Sequence, residues 1–572
     1  MTKMTGGDVV VRALEDEGIG FAFGIPGTHN IELYDSLARS AKVRPVLVTD
    51  EQSASFMADG VARSSGQLAV VNVVPGAGLT HALSGIAEAY LDGIPMLVLA
   101  CGIRRDTGRA FQLHDVDQLA IARPVTKAQF RVEQGSELYA TLRRAAQMAR
   151  RAPAGPVIVE IPAEHYLFRQ EGELEAPQEP EPPPEPRQQD LARAASMLNG
   201  CRRPLIYLGL GAADAGADLV ALAERLNAPV ATTFEGKGVF SEKHPLWLWC
   251  GFGASAPPFV QEIAGACDLT LAIGCRFSEV GTGSYGSPPP GKLIHVDIDP
   301  SVLGKNYSPD VAVVSDAGRF VAALLPRLET RAVDDELRQD IRFGQEQVWK
   351  DWAERSSSEG VYPPYLLKSL QTAVGDGAIY STDSGNGTFL AMECLRLEHP
   401  RSFLAPIDYS CMGYAVPAAI GAALACPQRP VVALAGDGAF LMTGLELLTA
   451  SQLHLPVMVL VLRDRELAQI AQFQEIALAR KSCSQLPDYD LAGLSRGVGV
   501  EHLSLVRNAD IEATLGKALE ITRSGNPVVV EVAIDYSEKT YFTRGVVRTN
   551  LGRLPWPDRI RFVLRALGRR LT

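Results

Sequence analysis

No stretch of eighteen apolar residues occurs in the 572-residue chain, so a helix spanning a bilayer is not expected. The N-terminal run MTKMTGGDVVVRALEDEG lacks the apolar core of a secretory signal, and a cytoplasmic location is expected. The nine cysteines are scattered and odd in number, with no Cys-x-x-Cys pair; this argues against a disulfide framework and against a cysteine zinc site. Excess positive charge is missing too. Lysine and arginine number 55 against 66 acidic residues, a net charge of −11. Such a surface repels a phosphate backbone, so no nucleic-acid partner is expected. What the chain has in quantity is apolar side chains, 47% against 21% charged, which excludes disorder and fits a globular protein. The length corresponds to about three or four domains.

Short runs such as RPVLVTD, LAVVNVVP, IPMLVLACG, RPLIYLGLG, LTLAIGCRF, RPVVALAGDG and LPVMVLVLRD alternate with helical patterns along the chain. They are apolar throughout rather than at every second residue, which predicts parallel strands covered on both faces. The fold class is therefore α/β, with three doubly wound parallel-sheet domains of similar size. A Pro/Glu tract at 171–189 cannot bury a core and reads as a linker. The predicted divisions are 1–170, this linker, 190–330, a charged helix-like linker at 331–359, 360–545, and a basic tail at 546–572.

In such sheets ligands sit at the carboxyl ends of strands. The strand in VVALAGDGAF (431–440) delivers Gly436, Asp437 and Gly438 into a predicted helix. Glycines there let backbone approach a ligand, a helix start favours anionic groups, and a carboxylate beside a phosphate suits Mg2+. The next strand, PVMVLVL, ends in Arg463-Asp464-Arg465-Glu466, so that Asp437 and Asp464 fall on neighbouring strand ends. Asp437, Asp464 and Glu466 are the candidate cation ligands.

This arrangement resembles the cofactor motif of the thiamin-diphosphate (ThDP) enzymes. Within them it is most similar to acetohydroxyacid (acetolactate) synthase and its relatives, pyruvate oxidase, benzaldehyde lyase and the 2-oxo acid decarboxylases. Other segments stand in the same order: FGIPGTHNIELYDSL, DEQSASFMADGVAR, VPGAGLTHAL, AEAYLDGIPMLVL, CRFSEVGTG, HVDIDP, TDSGNGT and SCMGYAVPAAIGAA. The resemblance implies pyrimidine-binding, central and diphosphate-binding domains, and ThDP with Mg2+ as cofactors. It places Glu51 where a glutamate hydrogen-bonds the pyrimidine ring, Met412 under the bend of the cofactor, and the Ser410 carbonyl against the pyrimidine amino group. Gly76, Gly385, Asn386, Gly387, Gly436, Gly438 and Ala439 complete the cofactor-binding set. Three departures stand out: Arg463-Asp464 replaces a common Asn-Asn, Ala439 a common Ser, and Ala468 a common Gly. The extra negative charge of Asp464 is expected either to be offset by Arg463 or Arg465 or to weaken the affinity for free ThDP.

By the same resemblance the reaction is decarboxylation of a 2-oxo acid to an enamine, which is protonated or adds to an aldehyde or ketone acceptor. His29 matches an active-site histidine of benzaldehyde lyase; His114 and Gln472 are the further catalytic candidates, and an adjacent histidine pair is not evident. Two alternatives stay open: a C–C lyase acting on a 2-hydroxy-ketone or 2-hydroxyacyl-CoA, and a catalytically silent homologue. The central domain is where relatives hold FAD, ADP or a CoA ester; Gly209-x-Gly211, Arg276 and Asp297 are the residues placed there. The resemblance also implies a homodimer or homotetramer with each site built from two chains. From Arg544 to Arg570 there are eight arginines against one acid. A helix from Pro557 would align Ile560, Val563, Leu564, Leu567 and Leu571 behind Trp556, either on an anionic membrane or on the protein's own surface.

Overall fold

The computed structural model describes residues 4–170, 182–355, 360–561 and 565. Three six-stranded sheets, each wholly parallel, follow one another along the chain. The first contains Phe21–Gly24, Arg44–Leu47, Val70–Val73, Met96–Gly102, Ala128–Arg131 and Pro156–Pro162. In space these run second, first, third, fourth, sixth, fifth. The third sheet contains Ile379–Thr382, Phe403–Leu404, Val431–Gly436, Val457–Arg463, Glu501–Leu505 and Val528–Ala533, in the same spatial order. The first and last sheets thus repeat one topology, in which the order reverses between the first and third strands. The central sheet, Pro204–Leu208 to Val311–Val314, runs third, second, first, fourth, fifth, sixth. A crevice for a ligand opens at such reversals, outside the carboxyl ends of the strands.

The strands are buried on both faces, as continuous apolar runs require: Val70–Val73, Met96–Gly102 and Pro156–Pro162 are buried at every residue. A short antiparallel pair, Met4–Thr5 with Arg169–Gln170, ties the start of the first domain to its end. Residues 171–181 of the predicted Pro/Glu linker lie outside the described residues. The charged stretch after the central domain is one helix, Asp335–Glu354, capped by Asp334, whose carboxylate accepts from Leu337 N at 3.0 Å. It buries Leu337, Ile341, Gly344, Val348 and Trp352 along one face.

The first and third domains meet through helices Glu51–Ser65 and Ala415–Ala425. Two glycines permit the approach. A Cβ on Gly60 would lie 2.2 Å from the Ala418 carbonyl oxygen, and one on Gly421 would lie 2.1 Å from that of Met57. Gly60→Ala is accordingly expected to cost about 1–3 kcal/mol, read as a lower thermal midpoint, because backbone rather than a flexible side chain must move. Beside this seam Arg63 is buried and pairs with Asp59 and Asp92, each at 2.6 Å.

The helix Tyr541–Arg553 crosses the boundary predicted at residue 545, and it does so because it packs on the other domains. Phe542 stacks on Phe389 at 4.2 Å and meets Phe234 of the central domain edge-on at 5.0 Å. A Cβ on Gly545 would come within 2.4 Å of the Ala254 carbonyl oxygen. Glu393 anchors the helix by accepting from Phe542 N at 2.9 Å. Burial pushes the Glu393 carboxyl up to about 7 from an ordinary 4.5. The folded protein therefore keeps a proton that the unfolded chain loses above pH 4.5. Stability contributed by protonated Glu393 falls as pH rises from about 4.5 to 7, by roughly 3 kcal/mol in all. Glu393→Gln should flatten that part of the stability–pH curve, measured by urea midpoints across the window.

Beyond this helix the chain is again helical over residues 556–561, with Trp556 72% and Ile560 52% exposed. Val563, Leu564, Leu567 and Leu571 of the predicted apolar stripe lie outside the described residues. Among the described residues no helix is long and apolar enough to cross a membrane.

Candidate active site

Chemistry-bearing residues gather at the order reversals of the first and third sheets. In the third, the strand Val431–Gly436 runs straight into the helix Asp437–Thr443, which begins at Asp437 itself rather than a few residues later. Asp437 is 1% exposed. Its Oδ1 accepts from Gly438 N and its Oδ2 from Arg465 N, both at 2.8 Å. Asp464 follows the neighbouring strand and accepts from Glu466 N at 3.2 Å. Burial, then repulsion from Asp437, pushes the Asp464 carboxyl up to about 7; burial also raises Asp437. Two buried acids on neighbouring strand ends, one of them raised further by the charge of the other, form a donor pair that a divalent cation would suit.

Glu466 stands close enough to Asp464 for its charge to add to the rise of that carboxyl, and both its carboxylate oxygens face Lys481 Nζ, at 2.8 and 2.7 Å. The charge of Arg463 works to lower Asp437, in the direction expected, although burial outweighs it. Its guanidinium is taken up by Glu531, by Asp488 at 2.5 Å and by the Tyr489 carbonyl at 2.7 Å, and lies over the Tyr489 ring. Arg465 points its side chain at Asp488, 3.3 Å away. Both arginines therefore already serve other carboxylates.

Above the acids sits the loop carrying Ser410 and Met412. A Cβ on Gly438 would lie 3.7 Å from Met412 Cε, which puts the thioether beside the Gly-Asp-Gly turn. Ser410 adopts φ 63° and its hydroxyl meets that of Ser384 at 2.8 Å. The residue that fixes this loop escaped the sequence reading. Asp383, at the end of Ile379–Thr382, is 3% exposed and accepts from Gly413 N and Ala415 N at 2.9 Å and from Ser384 N at 3.0 Å. Burial pushes its carboxyl up to about 7 against those bonds. Its signal was an acid at a strand end just before Ser-Gly, in the segment already singled out for its glycines. Gly385 adopts φ 138° at the start of helix Asn386–Cys394, and a Cβ on Gly385 or Gly436 would meet nothing within 4 Å. That open floor between two helix starts leaves room for a diphosphate. Asn386 and Ala439 are buried, and Gly387 packs on Leu462. Gln472, on helix Ala468–Leu478, donates to the Tyr536 carbonyl at 3.1 Å.

In the first domain Glu51 begins the helix Glu51–Ser65 behind its capping residue Asp50, and is 7% exposed. Gly78 lets the next helix approach: a Cβ there would lie 3.0 Å from Glu51 Oε1. His81, one turn along, places Nδ1 3.4 Å from Glu51 Oε2. Gly76 heads that helix with φ 60°, and its N–H is held by Gln118 Oε1 at 3.3 Å, while Gln118 Nε2 donates to the Cys101 carbonyl at 2.9 Å. Distant in sequence, His29 and His114 stand side by side, ring centroids 5.4 Å apart. A histidine pair absent from the linear sequence is thus made in space. Burial, then the neighbouring His114, lowers the His29 pKa. His114 adopts φ 66°, and its Nδ1 is buried without a partner.

Among the described residues no hydrogen bond or ion pair joins Glu51, His29 or His114 to Asp437, Asp464 or Met412. Near both groups the surface is unusually apolar: Leu441, Met442, Leu445 and Leu448 are 45–62% exposed beside the acids, and Phe111 is fully exposed on the loop carrying His114.

A separate cavity of about 720 Å³ lies at the strand ends of the central sheet, walled also by Arg63 and Asp92 of the first domain and Arg401 of the third. Arg276 and Asp297 line it as expected; Arg276 pairs with Asp408 at 2.9 Å, and burial pushes Asp297 up to about 6. Gly209 and Gly211 line the cavity as well, and they also hold two loops together. A Cβ on Gly209 would lie 2.1 Å from the Gly274 carbonyl oxygen and one on Gly211 2.9 Å from Gly274 Cα, so these glycines let two loops of the protein touch.

Comparison with known proteins matches three family models in the order of the three sheets. Residues 4–121 match the thiamine pyrophosphate enzyme N-terminal TPP binding domain, 191–324 the central domain, and 383–532 the C-terminal TPP binding domain. Among curated proteins, a probable acetolactate synthase large subunit of Methanocaldococcus jannaschii is 30% identical, over 94% of this chain and 93% of the relative. The acetolactate synthase isozyme 1 large subunit of Escherichia coli K12 is 31% identical over 94% and 95%, and isozyme 3 is 30% identical over 95% and 96%.

Proposed function

The chain belongs to the thiamine pyrophosphate enzyme family, among the acetolactate synthase large subunits, and from that premise we propose how its residues divide the work. It is a ThDP-dependent decarboxylase/carboligase acting on small 2-oxo acids. The observation that carries the site assignment is the crowded pair Asp437 and Asp464 at the order reversal of the third sheet. They would hold Mg2+, and Gly385, Gly436 and Gly438 would leave room for the diphosphate beside it. The cofactor, when bound, supplies a nucleophilic carbon that adds to the substrate carbonyl and accepts the electrons released with carbon dioxide. Glu51 holds and returns a proton at its carboxyl, at the head of the helix Glu51–Ser65. Met412 would pack against the cofactor, and Asp383 holds the loop that carries Met412 through Gly413 and Ala415 N–H. His29 and His114 face the substrate side, where an imidazole kept neutral by burial donates to or accepts from a carbonyl oxygen. Gln472, tied to Tyr536, borders the same space.

After carbon dioxide leaves, the acyl unit takes a proton to give an aldehyde, or bonds to the carbonyl carbon of a second molecule to give a hydroxy-ketone or hydroxy acid. The similarity to synthases disfavours the lyase and the silent homologue. Because no hydrogen bond or ion pair joins Glu51 to the acid pair among the described residues, and exposed apolar side chains lie beside the acids and on the His114 loop, the complete site is proposed to form in a homodimer or homotetramer. The central cavity is proposed to hold a nucleotide, FAD among those it accommodates; bound flavin would colour the purified protein yellow. Incubation of the protein with ThDP, Mg2+ and a panel of 2-oxo acids, each alone and with an added aldehyde, followed by 1H NMR, tests the reading. Aldehyde, hydroxy-ketone or hydroxy-acid products support it. Products arising only from cleavage of added hydroxy-ketones would replace it by the lyase.

A further inference from the structure

We propose that His81 is a positioning residue that exchanges protons between Glu51 and solvent. The inference rests on the role given to Glu51 above and deepens it. Glu51 is 7% exposed, whereas the His81 side chain is 61% exposed in the single chain. His81 Nδ1 at 3.4 Å is the one side-chain nitrogen in contact with the Glu51 carboxylate among the described residues. The contact is built by two helices: Glu51 opens Glu51–Ser65, His81 stands in the first turn and a half of Ala77–Asp92, and Gly78 removes the side chain that would separate them. The other groups facing this carboxylate are Asp50, on the same helix start, and Tyr34, whose phenol burial and the Glu51 charge keep neutral. Neither can both take and give a proton near neutral pH; an imidazole can.

The step is a proton transfer alone. A protonated His81 gives the hydrogen on Nδ1 to Glu51 Oε2, and His81 is reprotonated from water; the reverse sequence carries a proton out. One proton enters for each that leaves, and nothing is oxidised or reduced.

Two measurements test this. In dialysed protein carrying 13C-labelled histidine, with the signal assigned by its loss in His81→Ala, the His81 ring signal should move in Glu51→Gln, since the two side chains are in contact. An unmoved signal would overturn the contact. In turnover of a 2-oxo acid by the holoenzyme, His81→Ala should lower kcat about tenfold at unchanged KM, and imidazole buffer should restore the rate in proportion to its concentration. No loss, or a loss indifferent to imidazole, would overturn the role in proton exchange. Full activity of Glu51→Gln would instead remove the assignment of Glu51 itself. An inactive Glu51→Gln beside a normal His81→Ala would remove only the present inference.

Discussion

Glu51→Gln should lower kcat for 2-oxo acid turnover about 10³-fold while leaving the fold intact. Glutamine keeps the size of the side chain and its place at the head of the helix Glu51–Ser65, where Asp50, not Glu51, makes the cap. What it cannot do is lose and regain a proton. General acid–base groups typically contribute about 10²–10⁴-fold, and Glu51 is a buried carboxyl at a helix start within 3.4 Å of His81. The adjoining anchor is independent of the substitution: Thr49 donates through its hydroxyl to Glu446 Oε2 at 2.6 Å, across the domain seam. Unchanged circular dichroism and a kcat within a factor of three of the parent would remove Glu51 from the chemistry.

The second large effect is expected on cofactor retention. Asp437→Asn keeps an oxygen that can accept from a backbone N–H but removes the charge facing Asp464. Mg2+-dependent binding of ThDP, measured by equilibrium dialysis, should weaken at least about 100-fold, since even supporting residues of a metal site are worth 10–100-fold. Asp437→Ala would do the same and also leave the N–H groups of Gly438 and Arg465 unpaired, at about 1–3 kcal/mol each, so the asparagine variant is the cleaner comparison. Retention of ThDP at parental affinity by Asp437→Asn would mean that the cation is held elsewhere.

The architecture was legible because its cause is local. Strands buried on both faces read as unbroken apolar runs, and glycine and aspartate at their ends mark where ligands sit; Asp437, Asp464 and Glu51 follow from that pattern with the family resemblance. What the sequence hid depends on contacts between distant segments. His29 and His114 lie far apart in the chain, and only the loop after Met96–Gly102 brings their rings together. Gly209 and Gly211 line the central cavity, but their close contact with Gly274 on the adjacent strand end is one that no local pattern shows. Glu466 and Arg463 also have counterions that local pattern does not show, Lys481 for the one and Glu531 and Asp488 for the other, none of which is adjacent in sequence. Gly60 and Gly421 carry no chemistry, yet they set how closely the first and third domains approach.

The central claim is loss of the carboxyl carbon from a 2-oxo acid. The most direct measurement supplies a panel of 2-oxo acids labelled with 13C at C1 and follows the label by NMR in the presence and absence of ThDP and Mg2+, with Glu51→Gln alongside. The expected result is label appearing as carbon dioxide and bicarbonate from at least one acid, dependent on both cofactors and lost in the variant. Label that stays at C1 in every acid, with both cofactors bound, would contradict it.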